Sequence, residues 1–131
     1  MSYTIRNLGD VEDQAPKFGY AEMGESRFAG RDLDAEQTGL AFHRLNPGRR
    51  QAFAHRHDEA EEIYVVIRGR GRAKLDEDVV DLKALDAVRI APPVVRAFEA
   101  GDDGLELLVF GPHHEKDGEL IHEDVWASGG A

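Results

Sequence analysis

A chain of 131 residues with 26 Asp and Glu against 16 Lys and Arg carries a formal net charge of -10. That is long enough for one buried core, and too acidic to suit nucleic acid or an anionic membrane, both of which want a basic face. There is no cysteine, which excludes a disulfide scaffold, a thiolate nucleophile and a Cys-ligated zinc. No apolar run approaches membrane-spanning length, and the first ten residues lack a signal-peptide core. A soluble, cytoplasmic protein without nucleic-acid or membrane partners is the expectation.

Residues 1–38 begin with a short Ile5, Leu8, Val11 pattern. They continue as a polar, glycine-bearing stretch with Phe18, Tyr20, Met23, Phe28 and Leu33 as scattered anchors, which suggests a segment laid across a sheet. Residues 39–46 alternate as a strand, and Asn46-Pro47-Gly48 signals a turn. Residues 51–57 read as a second strand and 61–68 as a third, with a bend at Gly69-Arg70-Gly71. Residues 72–75 and 79–82 bracket Asp76-Glu77-Asp78 as a hairpin. Strands are expected at 87–90 and 94–99, then, beyond a Gly101-Asp102-Asp103-Gly104 turn, at 105–110. Short strands divided by Gly, Pro and Asp turns point to a sandwich or barrel. The tail, 113–131, is polar except for Leu120, Ile121, Val125 and Trp126.

Chemistry concentrates in one stretch. His55 and His57 stand at i and i+2 on an extended chain, so their rings project from the same face. Glu62 opens the β-branched run that follows. Should the two strands be neighbours, two imidazoles and a carboxylate converge in a set that suits a divalent transition metal. Gly48, His55, His57, Glu62 and Gly69 together resemble the first conserved motif of the cupin family, with one extra residue between Gly48 and His55.

The second cupin motif survives in spacing only. With Asp86 and Phe98 set on their usual positions, Leu85 replaces a Gly, Ala91 a Pro, Pro93 a Gly, Arg96 the metal-binding His, and Ala100 an Asn. Arginine has no lone pair for a metal and stays charged at any relevant pH. Either Arg96 pairs with Glu62 in the ion's place, or it turns outward or binds a ligand carboxylate or phosphate, leaving His55, His57 and Glu62 as a facial set of three.

The resemblance implies an all-β double-stranded β-helix, or jelly-roll barrel, over residues 39–112, with a pocket at its mouth. Residues 1–38 become an arm packing on the barrel or on a dimer partner, and 113–131 a tail. It also implies a homodimer, with a physical motive in covering an exposed edge strand. Three functional readings stay open. One is a small-molecule-binding cupin with a degenerate metal site, recognising its ligand through Arg96, Tyr64 and His43. Another is a dioxygenase or isomerase holding Fe, Mn, Ni or Zn on His55, His57 and Glu62. The third is a metal-free sugar isomerase or epimerase with a His base and Tyr64 as acid. His113, His114 and His122 are expected in a solvated tail, and Arg68, Arg70 and Arg72 to be solvated or paired with acids. No nucleophile elbow or phosphate-cradling loop is present.

Overall fold

A computed structural model describes residues 2–112 and 117–127. Its strands are β1 Gly24–Phe28, β2 Thr38–Leu45, β3 Ala54–His57, β4 Glu62–Leu75, β5 Asp78–Lys83, β6 Ala87–Ile90, β7 Arg96–Pro112 and β8 Gly118–Ile121. No α-helix occurs among the described residues, only short 3-10 turns at Leu8–Asp10 and Pro16–Phe18. The strands run β1-β2-β7-β3-β8, and β4 joins β7 while also pairing with β5 and β6. All pairings between strands are antiparallel. The curled sheet is the expected all-β jelly-roll barrel.

The alternation in β4 explains which face closes the core. Tyr64 and Val66 are buried, while Ile63 and Ile67 lie on the outer face. Inside, Tyr64 and Phe98 pack with ring centroids 4.6 Å apart, surrounded by Leu105, Leu107, Ile90 and Leu82.

Two pairs of expected strands fuse. Residues 61–68 and 72–75 belong to one strand, β4, and 94–99 and 105–110 mostly to another, β7. The Gly101-to-Gly104 segment is therefore an interruption within β7 rather than a turn between strands. Gly69 pairs with Leu105 while Gly71 pairs with Ala100, so the extra residues of β7 bulge opposite Arg70. The glycines of β4 permit this. Gly69 has φ +80, and a Cβ there would lie 2.1 Å from the Gly104 carbonyl oxygen; at Gly71 it would lie 2.1 Å from that of Glu99.

Both terminal regions contribute strands. β1 pairs with β2 in register from Gly24↔Leu45 to Phe28↔Ala41. β8 comes from the polar tail and pairs with β3, setting His55 opposite Leu120 and His57 opposite Gly118. On the other edge of β3, His55 stands directly opposite Arg96 of β7. Directly opposed residues share a face, so the sheet aims Arg96 at the same interior as the histidines.

Candidate metal centre and adjoining cavity

β3 brings His55 and His57 to the interior, and β4 brings Glu62 and Tyr64. The ligand atoms of His55, His57 and Glu62 all lie within 4.8 Å of one another. Glu62 Oε1 is the focus of the group. It lies 3.5 Å from His55 Nε2 and 3.4 Å from His57 Nε2, and it accepts a hydrogen bond from the Tyr64 hydroxyl at 2.8 Å. Tyr64 Oη is also 3.3 Å from His55 Nε2.

The electrostatics keep these groups in useful protonation states. Burial pushes the Glu62 carboxyl up, but hydrogen bonding with His55 and Tyr64 and the charge of both histidines outweigh it, so the group titrates below its usual range. Burial, aided by His55 and Arg96, lowers His57 against the opposing pull of Glu62 and Asp117. Tyr64 is pushed well above the phenol's ordinary value, first by burial and then by the Glu62 charge. The site therefore holds an ionised carboxylate, an un-ionised phenol and a His57 ring biased toward the neutral form.

Arg96 is fully buried, with no exposed surface. Its Nη2 donates to the Ala91 carbonyl at 3.0 Å, and its Nη1 lies 3.7 Å from Glu62 Oε1. Nε and Nη1 make no hydrogen bond. Arg96 thus turns inward behind Glu62. It is not among the residues lining the cavity described below. Its cross-strand register against His55 is what turns it to the interior.

His43 of β2 does line that cavity. Its Nδ1 shares a 2.9 Å hydrogen bond with Ser26 Oγ of β1, and its ring stands edge-on to Phe28. Burial, with help from His55 and against Glu62, lowers its pKa to about 4, so the ring is neutral. Among the tail histidines, His122 lies by Phe53, with ring centroids 6.1 Å apart; His113 and His114 fall outside the described residues.

Asp117 also belongs to the site, with no local sequence signal to mark it. Its Oδ1 accepts from the backbone N–H groups of Asp58 and Glu59, and its Oδ2 from that of Ala60. Oδ2 is also 3.3 Å from His57 Nδ1. Burial raises this carboxyl, but the backbone N–H groups of Ala60, Glu59 and Asp58 outweigh it and hold it ionised. Asp117 thereby ties the tail to the acidic connection between β3 and β4. In sequence it is one acid in a polar tail, with nothing to distinguish it.

The group opens onto a cavity of about 570 Å³. Its walls include Tyr20, Met23, Phe28, Leu40, Phe53 and Leu120, and its polar end is formed by His55, His57, Glu62, Tyr64, His43 and Ser26. The donor set fits a divalent transition metal, because both ring nitrogens of His57 are buried without a hydrogen-bond partner beside an ionised carboxylate.

The fold is thus a curled antiparallel β-barrel that brings a His-x-His from β3 and a Glu from β4, consecutive in the chain but not paired in the sheet, together in its interior. Residues 41–111 match the family described as Cupin domain, and the chain belongs to the cupin family. Among solved structures, a cupin protein from Bacteroides fragilis aligns with TM-score 0.70 and 21% identity over 88% of each chain. A cupin-2 domain from Rhodospirillum rubrum aligns at 0.64 and 21%, covering 78% of this chain and 68% of that one. Oxalate decarboxylase from Bacillus subtilis aligns at 0.76 and 20% over 92% of this chain but 32% of its own, so this chain spans about a third of that enzyme. No curated protein matches the sequence.

Proposed function

We propose that this protein is a small-molecule-binding cupin in which His55, His57 and Glu62 hold a divalent transition metal at the closed end of the cavity. The observation that carries this reading is the convergence of those donors within 4.8 Å, with His57 Nε2 facing the Glu62 carboxylate at 3.4 Å and making no hydrogen bond. Bound there, Fe, Mn, Ni or Zn would supply a Lewis acid with open positions for a ligand oxygen. Tyr64 holds Glu62 through its hydrogen bond and keeps its own proton. The Ser26–His43 pair offers a neutral polar contact, and the apolar walls offer a surface for a ligand's apolar part.

The 3.7 Å Arg96–Glu62 ion pair favours a second reading, a metal-free binder in which Arg96 supplies the cation. The raised Tyr64 pKa weakens the reading as a metal-free isomerase, because a phenol so reluctant to ionise is a poor general acid. We also propose a homodimer. Ile63, Ile67 and Phe110 are exposed on the outer face of β4 and β7, and Ile63 pairs with Phe110 across the strands.

The deciding experiment is elemental analysis of untagged protein and of a His55→Ala/His57→Ala variant, each checked for cooperative melting. Glu62 is left intact because its loss would strand the buried Arg96 charge at a cost of about 3–5 kcal/mol. Near-stoichiometric metal that disappears in the variant is the expected result. No metal after reconstitution of the wild type would sink the metal reading and leave the Arg96 one.

A further inference from the structure

The cavity has two chemically different ends, and one ligand must satisfy both. At the closed end, the metal-binding group carries Glu62 as its one carboxylate, with Arg96 fully buried 3.7 Å behind it. With the Asp117 carboxylate 3.3 Å from His57 Nδ1 counted beside Glu62 and Arg96, a divalent ion leaves one uncompensated positive charge, which a single anionic oxygen would balance. Next to it, Ser26 and His43 already satisfy each other in part and present a neutral polar edge. Away from this end, the walls are apolar and aromatic. Phe28 and Phe53 supply ring faces, Met23 an adaptable side chain, and Leu120 of β8 closes one side. The cations at the cavity do not offer a second anion site of the same kind. Arg44 is paired with Glu25 at 3.1 Å, Arg31 lines the cavity only from a solvent-exposed position where its charge is screened, and Arg96 does not line it.

We propose that the ligand is an amphiphile: an alkyl or aryl body with a single anionic oxygen head group, such as a carboxylate. The head sits at His55, His57 and Glu62, and the body lies along Phe28, Met23, Phe53 and Leu120. A compact dianion such as oxalate, the substrate in the name of one structural neighbour, leaves the apolar volume empty and its second charge unpaired. About 570 Å³ falls in the range that accommodates whole small-molecule ligands. This inference rests on the metal-binding reading for the charge of the head group, and on the cavity walls for the body.

The test is calorimetric titration of metal-reconstituted protein with the straight-chain carboxylates from acetate to decanoate, and with oxalate. Metal content is measured separately. The expected result is an affinity that rises roughly fourfold per methylene until the cavity is full, with oxalate binding no better than acetate. A Phe28→Gln/Leu120→Gln variant, altered at two half-exposed wall positions, should flatten the chain-length dependence while its metal content stays that of the wild type. Chain-length-independent affinity, or oxalate binding more tightly than octanoate, overturns the proposal even if metal is bound. If the protein takes up no metal, the metal reading fails instead, and the amphiphile is judged by the matching primary alcohols on metal-free protein. A chain-length dependence there supports the apolar body, and its absence overturns it.

Discussion

At the scale of single residues, the contacts of the site converge on one atom. Glu62 Oε1 is approached by both His Nε2 atoms, by the Tyr64 hydroxyl and by Arg96 Nη1. A cation that cannot leave is therefore built in behind the carboxylate, where it competes with any metal for the same charge. Arg96→His removes that competition and restores a lone pair, and should tighten metal binding by about tenfold or more. A chelator-competition titration checks this, and unchanged or weaker affinity would show that Arg96 does not oppose the ion. His43 makes a second prediction. Its pKa falls from 6.5 to about 4 on folding, so between those values the unfolded chain binds more protons and stability rises with pH. Acidification through that window should cost at most about 1.4 kcal/mol per pH unit from this group. The contribution is fully present above pH 6.5 and lost as the pH falls. Urea melts of wild type and His43→Gln across the window read it directly, and identical pH slopes would refute it.

At the scale of strands, the two motifs behave differently. Gly69 keeps its conformational role, holding β4 against the bulge of β7, and its left-handed backbone was legible as a bend at Gly69-Arg70-Gly71. The second motif lost its chemistry but kept its geometry. Leu85, which replaces the motif's Gly, still has φ +75 and is 82% exposed. A branched residue in that region is strained by about 1–2 kcal/mol, of which glycine's extra unfolded-state entropy takes back a part. Leu85→Gly should therefore stabilise the protein by about 0.5–1 kcal/mol, since little packing is lost. Chemical denaturation is the measurement, and a destabilised variant would contradict it. Strand continuity was not legible. The sequence shows breaks at Gly69 to Gly71 and at Gly101 to Gly104, yet β4 and β7 run through both because each break faces the other across the pair.

At the scale of the whole molecule, charge and apolar surface are unevenly placed. The chain carries -10 overall, but the outer face around Ile63, Ile67 and Phe110 is rimmed by Arg68–Glu106 and Arg89–Glu61 ion pairs that neutralise one another. Two copies meeting there would avoid most of the like-charge repulsion that opposes association elsewhere. Sedimentation at micromolar concentration should give twice the chain mass, and Phe110→Lys should shift it to the monomer while the isolated barrel stays folded. A wild-type monomer under those conditions would exclude the face as an interface.

What the sequence determined by itself was set by short-range physics. Period-two alternation and turn residues mark an all-β sandwich or barrel, and the cupin resemblance narrows that to the barrel. The His55-x-His57 spacing puts two rings on one face, and the resemblance to the cupin motif, through its spacing to Gly69, selects Glu62 over Glu59 and Glu61. Tertiary structure alone decided what those residues meet. The inward turn of Arg96 follows from its pairing with His55 across β3 and β7, far apart in the chain. Ser26 reaches His43 because β1 docks on β2. Asp117 caps the turn beside His57 because β8 returns to β3. None of these contacts has a local signal, since each depends on which strand lies beside which, and that is fixed only when the sheet closes.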